Sequence, residues 1–413
     1  MAEKKQTSPI DVIENPDFRQ VGDNIWVFPG LSNSGLVVTN EGLVLIDVPI
    51  ARLIKPYLEN IRKKFDGPVR TVLLTHGHAD HSFSLEPLFE MARKDGQPRP
   101  TVVGHRDMVR RFGKYRMLAA YQDHINRIQF AVPEGVPAFV PPRHNPDVTF
   151  DQSLSLVVGG VDFHACHAMG ETDDASWIWI PEKKIAFSGD LVISGLPNVG
   201  NPFKVQRFTL EWAEGVEAIL AREPEVLVPG HGPVIKGREN IRNNLLMISR
   251  ALRYLHDEVV RRLNDGMWYE DILHDVELPD DLKKAEAIAP NYGHPAFIVH
   301  GVLRQYTGWY DGNPANLFPP KKAEVAMEIA SVAGKEAIMA RAGQLQSEGR
   351  ESMALQFVDI ALAAGLGPEE ARRMHRLKGE LLNALGEKES SLIARNIFFN
   401  GRDKEYQLAG DDR

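Results

Sequence analysis

Four ligand-type side chains fall within six residues of the segment Thr75-His76-Gly77-His78-Ala79-Asp80-His81, directly after the apolar run TVLLT. Imidazole and carboxylate together suit zinc and neighbouring divalent ions. In a continuous helix or strand the side chains point in fixed, divergent directions, so four such groups cannot converge on one small site. A loop brings them together, and Gly77 and Ala79 let its backbone come close. The chain must therefore fold so that a buried strand ends in a metal-binding loop that leads into a helix.

The surroundings agree. From Asn24, after a loose lead-in of about twenty residues, short apolar runs bounded by turn signals read as strands: IWVFPG, GLVVTN and GLVLIDV. A helical period covers Leu53 to Phe65, and then comes TVLLT. TVVG, SLSLVV, VDFHACH, SWIWI and KIAFSGD continue the strand texture, and a helix-like LEWAEGVEAILAREP precedes the strand EVLVPG. After about Gly237 strand-like runs vanish. Amphipathic helical periods cover Arg238 to Asn264, Asp281 to Ile288, Ala296 to Tyr310, Lys321 to Gln346, and three shorter stretches from Glu351 to Asn400. The proline-rich break from Asn313 to Lys322 divides that half. The expected domains are 1–237, catalytic; 238–320, helical; and 321–413, a further helical region.

Three later segments complete a pattern: His167-Ala168-Met169-Gly170-Glu171-Thr172, Phe187-Ser188-Gly189-Asp190, and Pro229-Gly230-His231-Gly232. With the first motif, and in this order, they resemble the metallo-β-lactamase superfamily over about Asn24 to Gly237. The resemblance implies an α+β fold, an αββα sandwich, here followed by an all-helical C-terminal region. It also implies two divalent metal ions, zinc first and manganese or iron next. His76, His78 and Glu171 would hold one ion, and Asp80, His81 and His231 the other. Asp190 would bridge them, and Asp80 and Asp190 are also the expected catalytic carboxylates. Most of the superfamily has His where this chain has Glu171, and glutamate there resembles the alkyl sulfatase branch. A second string, GWYDGNPA (Gly308 to Ala315), with Tyr292-Gly293-His294-Pro295 before it, is similar to the dimerisation domain of alkyl sulfatases.

Read through that resemblance, the chain is a hydrolase that attacks alkyl sulfate esters with a metal-bound hydroxide. Asn201, Arg207 and His294 are the expected substrate contacts. Two departures stand out. Asp190 occupies a position where alkyl sulfatases usually carry Glu, and the segment after it lacks their tyrosine- and arginine-containing sequence. A second reading is therefore a metallo-hydrolase of a thioester, lactone or phosphodiester. A di-iron oxygen- or nitric-oxide-reducing protein would bring a flavin-binding domain, which the helical half does not resemble. A non-catalytic relative would have lost ligands, and all seven are present.

Partners and compartment follow from composition. The formal net charge of −8, without a Lys/Arg run, gives no footprint for nucleic acid. No apolar run approaches the length of a membrane span. Cys166 is the only cysteine, so neither an intrachain disulfide nor a thiolate-rich metal site can form. With a polar N-terminus that lacks a secretory signal, this predicts a cytoplasmic protein. The amphipathic helical half predicts a homodimer. On strand VDFHACH, His164 and Cys166 share one face and read as structural, whereas His167 points the other way, as a support residue.

Overall fold

The computed structural model describes residues 16–411, so most of the expected lead-in lies outside the described residues. The first sheet has seven strands in sequence order: β1 (Arg19–Gly22), β2 (Ile25–Pro29), β3 (Asn33–Thr39), β4 (Gly42–Ile46), β5 (Val69–Leu73), β6 (Thr101–His105) and β7 (Val148–Phe150). β1 to β4 form an antiparallel meander, and β4 to β7 run parallel, joined by crossovers. The second sheet is ordered β13-β12-β11-β10-β9-β8, from β8 (Ser153–Val158), β9 (Val161–His167), β10 (Ser176–Ile180), β11 (Ile185–Ile193), β12 (Val226–His231) and β13 (Ile235–Lys236).

The sandwich follows from which faces are apolar. Ile25, Val27, Val37, Val44 and Ile46 of the first sheet share one core with Phe163, Ile178, Ile180, Ile185 and Phe187 of the second. The outer face of the first sheet is covered by α1 (Ile54–Lys64), α2 (Ala79–Ser82), α3 (Leu85–Lys94) and α4 (Asp107–Met117), with Tyr57, Leu88, Met108 and Phe112 buried against it. α5 (Ala119–Gln129) continues from α4. Over the second sheet lie α6 (Thr209–Leu220), α7 (Arg238–Asn264), α8 (Tyr269–Asp275), α9 (Asp280–Lys283) and α10 (Pro295–Tyr306). Trp212, Leu245, Leu252, Ile272 and Val302 join Trp177 and Leu227 in the third layer of core. This is the expected αββα sandwich, with helices on both outer faces of paired sheets.

The chain divides into two compact units. The first comprises residues up to His124 together with Pro137–Thr307, and the second Ile125–Val136 with Gly308–Arg413. Helices α7 to α10 thus belong to the same compact unit as the sheets, because their apolar faces complete its core. In the second unit α11 (Lys322–Ala333), α12 (Lys335–Ser347), α13 (Glu351–Ala363), α14 (Pro368–Lys388) and α15 (Leu392–Ala409) bury a core of Ala326, Ile338, Ala342, Val358 and Leu381. The all-helical C-terminal expectation therefore holds, with shifts in detail. The single period read from Lys321 to Gln346 is two helices, broken at Gly334, whose φ of +83° no side-chain-bearing residue adopts cheaply. The stretch Asp281 to Ile288 is the short α9 and a separate 3₁₀ turn, Glu286–Ile288. α10 ends at Tyr306, so Trp309 and Tyr310 lie beyond it, and Trp309 is 76% exposed.

Candidate metal centre

Apart from Asp190, the ligand-type residues singled out in the sequence sit at the end of a strand or in the loop that follows one. The loop after β5 carries His76, His78, Asp80 and His81, with Asp80 and His81 in the single turn α2. Glu171 lies in the turn between β9 and β10, Asp190 within β11, and His231 closes β12. They form two groups, His76, His78, Glu171 and Asp190 in one and Asp80, His81 and His231 in the other. Within each group the candidate ligand atoms lie within 4.8 Å of one another.

Asp190 faces both. Its Oδ1 is 3.2 Å from His81 Nε2 and 3.3 Å from His231 Nε2, while its Oδ2 is 3.5 Å from His76 Nε2. His76 Nε2 and His78 Nδ1 are 3.0 Å apart, and Asp80 Oδ2 lies 3.4 Å from His231 Nε2. Space for this is made at Gly230, where a Cβ would stand 2.0 Å from Asp190 Oδ1.

The outward sides of the rings are tied down, which fixes which nitrogen faces inward. Asp47, buried at the end of β4 with φ +61°, takes a hydrogen bond from Thr75 N at 2.7 Å and one from the Thr75 hydroxyl at 2.6 Å. It also faces His81 Nδ1 at 2.8 Å, so Nδ1–H donates to Asp47 and Nε2 points into the site. His231 Nδ1 donates to the Leu31 carbonyl at 2.8 Å, and His76 Nδ1 lies 3.1 Å from the Thr75 hydroxyl. Such outer contacts set tautomer and ring orientation in metal sites. The Asn33 amide donates to the carbonyls of Pro229 and Gly232, holding the loop that presents His231. Neither Asp47 nor Asn33 was identified from the sequence.

The electrostatics suit cations. Burial opposes ionisation of Asp190, but His231, His81 and His76 hold its carboxyl well below the usual range. Burial pushes His78 well down, toward the neutral ring that ligates metal. For Glu171, burial and then the nearby Asp190 raise the carboxyl, with Arg207 opposing. Asp190 Oδ1 is buried without a hydrogen-bond partner among the described residues. An orphaned carboxylate oxygen facing two imidazole nitrogens is costly unless a cation completes the site. Four histidines and three carboxylates form a donor set that fits two divalent ions.

The expected substrate contacts are placed differently. Arg207, only 4% exposed, donates to Glu171 Oε1 and to the Asn198 carbonyl. Asn198 Nδ2 donates to the same Oε1 at 2.8 Å. The guanidinium thus grips a ligand-type carboxylate from behind. Asn201 Oδ1 accepts from Phe203 N at 2.9 Å, shaping its own turn. His294 caps α10, its Nδ1 accepting from Ala296 N at 3.1 Å. Neither Asn201 nor His294 lines the cleft of about 520 Å³ onto which His78 and Glu171 open. His167 Nε2 donates to the Asp173 carbonyl, and its ring stacks on His105 at 4.0 Å. Cys166 and His164 stay outside both ligand groups.

Comparison with known proteins follows the same division. Residues 27–231 match the metallo-beta-lactamase superfamily, and residues 269–407 match the alkyl sulfatase dimerisation family. A linear primary-alkylsulfatase from Pseudomonas sp. (strain ATCC 19151) is 26% identical over 91% of this chain and 74% of its own length. The alkyl/aryl-sulfatase BDS1 of Saccharomyces cerevisiae is 26% identical over 92% of this chain, which spans 62% of that protein. Among solved structures, the stereoselective inverting sec-alkylsulfatase Pisa1 from Pseudomonas sp. superposes with a TM-score of 0.82 at 20% identity. That match covers 96% of this chain and 66% of Pisa1.

Proposed function

This chain belongs to the metallo-β-lactamase superfamily and carries an alkyl sulfatase dimerisation domain, and from that premise we propose that it is a dinuclear metal-dependent hydrolase of alkyl sulfate esters. The observation that carries the proposal is the pair of ligand groups joined at Asp190 and opening, through His78 and Glu171, onto a cleft lined by cations. We take zinc as the ion at both positions. His76, His78 and Glu171 would hold one and Asp80, His81 and His231 the other, with Asp190 between them. Two such ions supply Lewis acidity, which acidifies water and draws charge from an ester's oxygens.

The chain's own residues do the rest. Asp47 and the Leu31 carbonyl keep the His81 and His231 Nε2 atoms aimed inward, so that the donor set is ready before any ion arrives. Arg207 and Asn198 hold Glu171 Oε1, which leaves Oε2 toward His78, 4.0 Å from its Nδ1. His76 and His81 are buried almost completely, and His78 is the more open imidazole of the first group, so an ester would approach from its side. A sulfate ester suits this arrangement because its anionic oxygens meet a cleft whose lining includes Arg111, Lys114, Lys204, Arg207 and Arg304.

Purified, zinc-loaded protein should release sulfate from medium-chain alkyl sulfates faster than it cleaves thioesters, lactones or phosphodiesters. A product screen across those classes decides the matter. Efficient turnover of another ester, beside sulfate release no faster than in a metal-stripped control, would transfer the assignment to that ester.

We further propose that the chain pairs as a homodimer through its second unit and acts in the cytoplasm, the latter because Cys166 is its only cysteine. The match to the dimerisation family supports the pairing. So does an apolar row on α11, where Val325, Ile329 and Val332 recur at helical spacing and are 43%, 41% and 90% exposed. An interface of permanent type should bury more than about 2,000 Å² in all. Light scattering should give the mass of two chains, and Val332→Glu together with Ile329→Glu should shift it toward one. A wild-type monomer at micromolar concentration would refute the pairing.

A further inference from the structure

Tyr292-Gly293-His294-Pro295 falls within the stretch that matches the dimerisation family, yet in the fold it belongs to the first compact unit, with the sheets. Its local chemistry is that of a helix start. His294 Nδ1 accepts from the Ala296 amide at 3.1 Å, and Pro295 takes the first helical position, where a missing N–H costs nothing. α10 therefore begins at a fixed point. Its lead-in and first turns lie against residues 194–208, which join β11 to α6 without a helix or strand of their own. Ordering such a segment costs conformational entropy, and the contacts it makes have to offset that cost.

Those contacts act at both ends. At the front, the Leu196 amide donates to the Ala289 carbonyl at 2.9 Å, and Asn291 Nδ2 donates to the Ser194 carbonyl at 3.0 Å. Gly195, with φ +141°, leaves room for the Asn291 side chain, because a Cβ there would stand 2.1 Å from Asn291 Oδ1. Gly200 lies directly on the backbone of α10, where a Cβ would stand 1.6 Å from the Phe297 carbonyl oxygen. At the rear, Gln206 Nε2 donates to the Gly301 carbonyl at 2.8 Å and to the Arg207 carbonyl at 2.6 Å. Its Oε1 accepts from Arg304 Nε at 3.1 Å. The residues so anchored flank Asn198 and adjoin Arg207, the two that donate to Glu171 Oε1. Arg207 also donates to the Asn198 carbonyl, so front and rear of the segment meet at Glu171.

We propose that residues 289–304, the lead-in and body of α10, are a positioning element for the metal centre. By clasping both ends of the segment between β11 and α6 they set the aim of Glu171, and with it the affinity of the His76–His78–Glu171 group. The inference rests on Glu171 being a metal ligand, and it gives part of the dimerisation-family stretch a duty inside its own chain. Asn291 and Gly200 are positioning residues that act through Asn198 and Arg207. Loosening the clasp should weaken the ion of that group by about 10-fold, the lower end of what an outer contact to a ligand is worth.

The test is a chelator titration of the full-length, zinc-loaded protein, followed by metal analysis. Gly200→Ala, whose new Cβ has to push the segment off α10, and Asn291→Ala should each release one ion per chain at about 10-fold lower chelator than wild type. The second ion should leave as it does from wild type. Gly301→Ala is the control, because its Cβ would stand 3.6 Å from the Val199 carbonyl oxygen, an ordinary contact, and both ions should leave as from wild type. The route is checked in a chain carrying Asn198→Ala together with Arg207→Met, where adding Gly200→Ala should cause no further loss. Should Gly200→Ala fail to fold, Asn291→Ala decides alone. Wild-type affinity for both ions in the clasp variants, beside loss of one ion in Glu171→Ala, would overturn the clasp and leave the ligand assignment standing. Equal weakening of both ions, or a further loss in the Asn198 and Arg207 background, would also overturn it, because the contacts would then act on the fold at large. Wild-type affinity for both ions in Glu171→Ala would overturn the ligand assignment itself, and the duty of the clasp with it.

Discussion

Replacing Asp190 with Ala is expected to lower the divalent metal content from near two per chain to one or fewer. Activity should fall by more than the roughly 100-fold that loss of a mere supporting residue costs. The expectation follows from the position of its two oxygens. Oδ1 faces His81 and His231 of one ligand group and Oδ2 faces His76 of the other, all at 3.2–3.5 Å. Among the described residues no other carboxylate addresses both groups through separate oxygens at such distances. Removing it leaves each group with only its own donors, and each then falls short of a closed tetrahedral shell. Gly230→Ala offers an independent check, because it keeps the carboxylate but places a Cβ 2.0 Å from Oδ1. Elemental analysis of both variants is the measurement, and full occupancy in Asp190→Ala would refute the bridging role.

The first-mentioned motif was legible because its chemistry is local. Six residues after one strand bring four donors to one place, and strand ends are where such loops lie. The sandwich was legible for a related reason, since alternating apolar runs such as GLVLIDV and SWIWI leave few architectures that bury them. What escaped notice was held by contacts distant in sequence. Asp47 ends an unremarkable strand, and only folding brings it to Thr75 and His81, 28 and 34 residues away. Helix α4 was missed because the buried row Met108, Arg111, Phe112 and Tyr115 has an arginine in a core position, which disguises its period. That arginine is buried only because Asp173 and Asp174 meet it from across the fold. The opposite error arose at Gly334, where the apolar period runs on through a backbone break. Spacing reports which faces want burial, and it is silent on a single residue whose φ turns the chain.

Arg207 shows most clearly how residue type and position in sequence can point to one role and packing to another. As an arginine on a loop after Asp190, it had the chemistry of a sulfate-binding group. In the fold its guanidinium is buried, and its Nη1 donates to Glu171 Oε1 and to the Asn198 carbonyl. Arg207→Met should therefore act on metal binding. Glu171 Oε1 would keep only the Asn198 amide, the carboxylate would lose its fixed aim toward His78, and affinity at the His76–His78–Glu171 group should fall by about 10- to 100-fold. A buried carboxylate deprived of its cation also costs the fold about 3–5 kcal/mol in the metal-free protein. Because His81 and His231 are braced separately by Asp47 and the Leu31 carbonyl, the ion of the Asp80–His81–His231 group should remain. A chelator titration followed by metal analysis should show two ions leaving together from wild type and one leaving early from the variant. Arg207→Lys should recover part of that affinity, since both bonds leave from the single nitrogen Nη1 and an ammonium also donates more than one hydrogen bond. If the variant instead kept both ions at wild-type affinity and only KM for alkyl sulfate rose, Arg207 would be a substrate contact after all, and the brace on Glu171 would reduce to Asn198 alone.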